Sequence, residues 1–122
     1  MPDRLIAEEI QAGLAGIVIG REIIVLERTD STNDAILQIA NGTLGEGLAV
    51  FAEHQTAGRG QRGNRWESPA GKGLWFSLLL RPQIELASSP QLTAWAAEAI
   101  SGAIRNEFSL PSTIKIPNDV QI

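Results

Sequence analysis

Apolar positions along the chain change period several times, and each change predicts an element. Leu5, Ile6, Ile10 and Leu14 recur at helical spacing, so a short amphipathic helix is predicted over residues 3–14, broken by Gly13, Gly16 and Gly20. Residues 22–28 carry the unbroken run Ile23, Ile24, Val25 and Leu26 and predict a buried strand. The polar stretch Asp30-Ser31-Thr32-Asn33 supplies a helix cap, Ser31 or Thr32, for a helix that turns Ala35, Ile36, Ile39 and Ala40 inward and stops at Asn41-Gly42.

A strand is predicted at residues 48–53, followed by a long Gly- and Arg-rich loop over 54–73 and by a central strand over 74–80, the most apolar run in the chain. Ser88 and Gln91 resemble a capping box ahead of a helix whose buried face is predicted to hold Leu92, Trp95, Ala96, Ala99, Ile100, Ala103, Ile104 and Phe108. Short strands are expected at 112–116 and from 120, joined by a turn at Pro117-Asn118-Asp119. The order βαββαβ points to an α+β fold, a mixed sheet with helices on one face.

Composition narrows the function. The 122 residues suit one ordinary domain, and no apolar run approaches the roughly 20 residues of a membrane span. Neither a signal peptide nor any cysteine is present, so a cytoplasmic protein without disulfide or thiolate chemistry is expected. A single histidine argues against a His-rich metal site, and the net charge of -4 argues against gathering nucleic acid through the whole-molecule field.

The segment Gly58-Arg59-Gly60-Gln61-Arg62-Gly63 has the spacing of a dinucleotide-binding fingerprint, but such a loop must open straight into a helix. Here Asn64-Arg65-Trp66-Glu67-Ser68-Pro69-Ala70-Gly71 follows, with a proline and a glycine in the way. What the segment does offer is Arg59, Arg62 and Arg65 on glycine-permitted backbone, which suits a phosphate or carboxylate. A merely solvated loop remains the alternative from the residues alone. Ser31, Thr32 and Asn33 would equally serve as a plain helix cap, Asn118-Asp119 as a plain turn, and Trp66, Trp75 and Trp95 as packing residues, Trp95 above all.

Four motifs in order change that balance: Asp30-Ser31-Thr32-Asn33, the stretch from Ala52 through Gln55 and Arg59 to Trp66, Leu74-Trp75-Phe76-Ser77, and Lys115-Ile116-Pro117-Asn118-Asp119. Together they resemble biotin protein ligases, from about Asp30 to the C-terminus. The resemblance implies the fold shared by class II aminoacyl-tRNA synthetases and biotin synthetases, biotin and ATP as substrates, and Mg²⁺ as an expected participant. It further implies a biotin carboxyl carrier protein, as in acetyl-CoA carboxylase, as acceptor. By the same resemblance Ser31, Thr32, Asn33, Gln55, Arg59, Gly60 and Gln61 border biotin. Arg62, Trp66, Asn118 and Asp119 serve the nucleotide, and Arg59, Arg62 and Lys115 are the electrostatic elements of catalysis.

Some features depart from the family pattern. Ile116 stands where tryptophan is frequent and Gln61 where arginine is frequent. A later lysine motif that contacts the biotin carboxylate has no counterpart in these residues. Residues 1–122 are therefore expected to be a partial catalytic domain, lacking the small C-terminal β-domain and any N-terminal winged helix, with little or no turnover and no DNA binding. The alternative is a non-enzymatic ligand-binding fragment, or one that dimerises through an unpaired sheet edge. Lipoate or octanoate transfer shares the wider fold but does not ordinarily carry the Gly-Arg-Gly loop.

Overall fold

The computed structural model describes residues 4–14, 18–40, 45–59, 65–81, 83–115 and 119–122. They form two compact units, Met1–Arg81 and Pro82–Ile122.

The first unit is built on a four-stranded mixed sheet. Strand β1 (Glu22–Thr29) leads through helix α2 (Thr32–Ile39) to β2 (Leu48–Arg59), which lies parallel to β1 from Glu22↔Leu48 to Thr29↔Gln55. Parallel neighbours need a crossover, and the helix supplies it. Two further strands run antiparallel to β2 at different points along its length. β3 (Arg65–Ser68) pairs with its C-terminal end, and β4 (Trp75–Leu78) pairs with residues Ala49 to Ala52. An N-terminal helix, α1 (Ala7–Ala12), is confined to six residues and ends at Gly13.

β2 is the centre of this unit because it is paired on both edges. Its residues Leu48 to Ala52 are all buried, Val50 and Ala52 completely. One face of the sheet presents Leu48, Val50, Ile24 and Leu26 to Ala35, Ile36, Ile39 and Ala40 of α2, with Leu79 closing the cluster. The alternation of a strand sends Phe51 to the opposite face. There it stacks on Phe76 with ring centroids 5.1 Å apart. Gly47, at the entry to β2, has φ +99°, and an added Cβ would sit 1.9 Å from the Val18 carbonyl oxygen, so only glycine lets the two backbones meet there.

Two expectations for this unit change. The long loop over 54–73 is in large part strand. Polar and glycine residues disguise it, but β1 pairs with β2 as far as Gln55 and β3 carries the pairing on to Arg59. The apolar run 74–80 is not the central strand; among the described residues β4 pairs only with β2.

The second unit contains a 3₁₀ turn (Leu86–Ser88), helix α3 (Ser89–Phe108) and a hairpin of β5 (Thr113–Lys115) and β6 (Asp119–Gln121). The predicted capping box does not form: Ser88 makes no side-chain cap bond, and Pro90 in the first turn starts the helix, where a missing N–H removes no intrahelical bond. Ser109, at φ 54°, closes α3 in the left-handed conformation usually taken by glycine, its N–H bonded to the Arg105 carbonyl. Burial on α3 also differs from the expectation. Ala97 and Ser101 are buried, while Trp95 is 50% exposed, Ile100 48% and Phe108 70%. A hairpin of three-residue strands is too small to cover a helix of 20 residues, roughly 30 Å long. Just ahead of β5 the segment is tied to α3 by a polar contact, the Ser101 and Ser112 hydroxyls lying 2.6 Å apart in a buried bond.

Among the described residues no helix is long and apolar enough to cross a membrane. Leu48 is 1% exposed within the α2 cluster. Leu48→Ala is expected to lower the free energy of unfolding by about 3 kcal/mol through lost transfer energy and a residual cavity, measured by urea denaturation.

Candidate functional site

The first turn of α2 lies against the sheet, tied to it by a set of hydrogen bonds beside the apolar contact of Ala35. Ser31 caps the helix, its Oγ accepting from the Asn33 N–H at 3.2 Å. The Thr32 N–H donates to Gln55 Oε1 at 2.8 Å, so a strand side chain satisfies a second of the unpaired amides that every helix N-terminus carries. Thr32 Oγ1 lies 2.7 Å from Ser77 Oγ, and the Ser77 hydroxyl donates to Asn33 Oδ1. A hydroxyl has one hydrogen, so Ser77 accepts from Thr32 as it donates to Asn33. Gln55 continues the chain, its Nε2 donating to Ser68 Oγ of β3 at 3.1 Å.

Asp30, just ahead of the cap, ties the same turn to β2. Its carbonyl accepts the Ala57 N–H at 2.7 Å and its carboxylate accepts the Thr56 hydroxyl at 3.0 Å. The result brings α2, β2, β3 and β4 to one place. Ser31, Thr32, Ser68 and Ser77 are all buried, and among the described residues no buried side-chain nitrogen or oxygen lacks a partner.

Gly58 makes the close packing possible. A Cβ there would lie 2.8 Å from Ser68 Oγ, 2.9 Å from Gln55 Nε2 and 3.2 Å from the Trp66 carbonyl oxygen. Its position coincides with a register shift in the β2–β3 ladder between Gln55 and Gly58, and such irregularities re-aim neighbouring side chains. The first glycine of the supposed dinucleotide fingerprint thus sits inside a strand, and Arg65 to Ser68 beyond it are strand as well.

Arg59 ends β2 and reaches back to α2, where its Nη2 lies 2.7 Å from Asp34 Oδ1. The hydrogen bond and charge of Asp34 raise the guanidinium pKa above its already high ordinary value. The sign is that of a cation gaining a partner: the stabilisation is complete below the unfolded pKa and is lost only as pH rises through the still higher folded value, so Arg59 stays charged throughout the neutral range. Trp66 lies across the ladder from Gly58 and is 60% exposed, leaving an aromatic face available for stacking. A cleft of about 470 Å³ runs along this end of the sheet, lined among others by Gln55, Thr56, Arg65, Trp66 and Ser68. A larger hollow of about 720 Å³, bordered by Arg4, Glu27, Arg28 and Glu53, shares only His54 with that cleft and contains none of the residues expected to border biotin or the nucleotide.

Ser31, Thr32, Asn33, Gln55, Arg59 and Trp66 therefore belong to the first unit, the first four in one hydrogen-bonded network. Lys115 and Asp119 are in the second, as register partners across the β5–β6 hairpin, with Asp119 accepting a bond from Gln121. Gly60, Gln61, Arg62 and Asn118 lie outside the described residues. Ser77, Ser68, Asp30 and Asp34 received no role from the sequence. For Ser77 a signal existed, a lone hydroxyl in the apolar run 74–80.

A helix capped against a mixed sheet, with polar groups and an arginine gathered at its first turn, is an arrangement suited to a small polar or anionic ligand. Comparison identifies the lineage. Residues 25–122 match the model of the biotin/lipoate A/B protein ligase family, and the chain belongs to that family. It is 40% identical, over 99% of its length, to the bifunctional ligase/repressor BirA of Bacillus subtilis, and spans 37% of that protein. With the biotin–[acetyl-CoA-carboxylase] ligase of Paracoccus denitrificans it shares 42% identity over 79% of its length, spanning 40% of the relative.

Two solved structures share the fold. The biotin protein ligase of Aquifex aeolicus in complex with biotin and ATP matches with a TM-score of 0.66 and 33% identity, over 84% of this chain and 42% of that one. The enzyme of Leishmania major in complex with biotinyl-5-AMP gives 0.70 and 27%, over 82% of this chain and 47% of that one. The mixed α+β architecture is thus that of biotin protein ligase catalytic domains, and the chain spans less than half the length of these relatives.

Ser77→Ala removes the shared partner of Thr32 and Asn33. It is expected to destabilise the first unit by about 1–3 kcal/mol, the usual result of leaving buried polar groups unpaired, read from the shift in a chemical denaturation curve.

Proposed function

We propose that this chain carries the ligand-holding front of a biotin protein ligase, which joins biotin to AMP and then to a lysine of a biotin carboxyl carrier protein. The observation that carries this reading is the network of Ser31, Thr32, Asn33, Gln55 and Ser77 with Arg59 beside it, in a chain of this family. Its relatives include ligases named for acetyl-CoA carboxylase, and its structural neighbours hold biotin with ATP or biotinyl-5-AMP.

The groups left over in the network suit biotin. The Ser31 hydroxyl hydrogen, the Asn33 amide nitrogen and the second Gln55 N–H have no partner among the described hydrogen bonds, and together they offer donors to a ureido carbonyl. In the first step a biotin carboxylate oxygen attacks the α-phosphorus of ATP, and the bond to the departing pyrophosphate breaks. In the second, an uncharged lysine amine of the carrier attacks the acyl carbon, AMP leaves with the bonding electrons, and the new amide nitrogen loses its proton. Negative charge crowds both reactants of the first step, and Arg59, whose partner Asp34 lies in the first turn of α2, would screen it.

Trp66 would stack on the nucleotide side. Arg62, Gly60, Gln61, Asn118, Asp119 and Lys115 keep the roles that the motif resemblance assigns them, with Arg62 and Lys115 on carboxylate or phosphate charge. Mg²⁺ finds no cage among the described residues: none gathers three or more acidic or histidine side chains, and the carboxylates bordering the site, Asp30 and Asp34, are engaged by Thr56 and Arg59.

A retained binding site without chemistry is the second reading, favoured by the satisfied hydrogen-bond network, which organises a ligand pocket whether or not turnover follows. Calorimetric titration with biotin, then with a non-hydrolysable biotinyl-AMP analogue, tests both. Tighter binding of the analogue than of biotin, weakened at least about tenfold by Arg59→Ala, is the expected outcome for a working adenylate site. Equal weak binding of the two ligands, unaffected by the substitution, would refute it.

A further inference from the structure

The Arg59–Asp34 pair sits at the solvent-exposed end of β2. Both side chains are about half exposed, 53% and 45%, and an ion pair so open to water contributes little to stability. It is also one-sided: a single guanidinium nitrogen, Nη2, meets a single carboxylate oxygen, Oδ1, at 2.7 Å. Arginine carries five N–H donors in a rigid planar fork, so the contact occupies one edge and leaves Nη1 and Nε uncommitted to Asp34.

The two ends of the pair differ in rigidity. Asp34 stands in the first turn of α2, where a negative charge complements the helix N-terminus. That turn is fixed by the Ser31 cap, the Gln55 bond to the Thr32 amide and the Ser77 hydroxyl. Arg59 ends β2 on a long side chain with many rotamers. A fixed carboxylate gripping one corner of a mobile fork restricts how the rest of the fork is presented, and a ligand anion then meets donors already ordered.

We propose that Asp34 is a positioning residue for Arg59, holding its guanidinium by one nitrogen so that the remaining donors grip the anionic group of the ligand. The inference rests on the functional reading above and deepens it, since it concerns how the same site recognises the carboxylate or phosphate of the acyl adenylate.

Charge and geometry make opposite forecasts, which gives the test its force. Removing a carboxylate from beside an anion site should tighten anion binding if long-range attraction dominates. Positioning demands the reverse. The full chain is titrated calorimetrically with the non-hydrolysable biotinyl-AMP analogue, as wild type, Asp34→Ala, Asp34→Asn, Arg59→Ala and the Asp34→Ala/Arg59→Ala double variant. Asp34→Ala is expected to bind about tenfold more weakly. Asp34→Asn keeps an oxygen acceptor for Nη2 and should stay within about threefold of wild type. In the double variant the loss should equal that of Arg59→Ala alone, because Asp34 acts only through Arg59.

Unchanged or tighter binding by Asp34→Ala would overturn the proposal while leaving the adenylate site intact. So would a double variant weaker than Arg59→Ala, which a general loosening of α2 would produce. If the wild-type chain fails to bind the analogue at all, the functional reading falls, and this inference with it.

Discussion

Hydrogen bonds between the first turn of α2 and the sheet are the constraint on which the candidate site depends. Four separate segments, Asp30 to Asn33, Gln55 to Ala57, Ser68 and Ser77, converge there through side-chain and backbone bonds. Hydrophobic burial brings α2 onto β1 and β2, but it is non-directional and would tolerate a small slide of the helix. The polar ties remove that freedom, because a buried hydroxyl or amide that loses its partner forfeits its solvation without compensation. The polar groups of the candidate site are thereby held to helix and strand geometry rather than to a loop.

β2 connects packing to chemistry. Its N-terminal half is core, with Val50 completely buried, while its C-terminal half turns polar and ends in Gln55, Gly58 and Arg59. One strand thus serves as both the structural axis and the floor of the site. β4 pairs with the buried half and delivers Ser77, while β3 pairs with the polar half and delivers Ser68. Gly58 lets the second pairing come close enough for Gln55 to bridge the helix and the sheet. The network and the register shift beside it are two consequences of the same close approach.

The legible parts of the chain were those decided by local rules. The Ser31 cap, the inward positions Ala35, Ile36 and Ala40, and the apolar start of β2 all follow from propensity and period, and the structure has them. The ordered motifs from Asp30 to Asp119 carried the family. The polar half of β2 resembles loop in sequence because its strand character comes from pairing with β1 and β3, which no window of sequence contains. The period of α3 predicts Trp95 in the core, yet periodicity specifies only that a face is apolar, and the residues buried on α3 are Ala97 and Ser101 instead.

The sequence by itself determined which residue types the candidate site offers and which family the chain belongs to. Those depend on chemistry and order along the chain. Tertiary structure alone decided their partners: that Ser77, forty-four residues from Asn33, donates to it, that Gln55 caps the Thr32 amide, and that Asp34 grips Arg59. Such pairings depend on strand register and on where α2 lands on the sheet. Register follows from burial summed over the first unit, and the place of α2 from that burial together with its polar ties to the sheet, rather than from any residue's own preference.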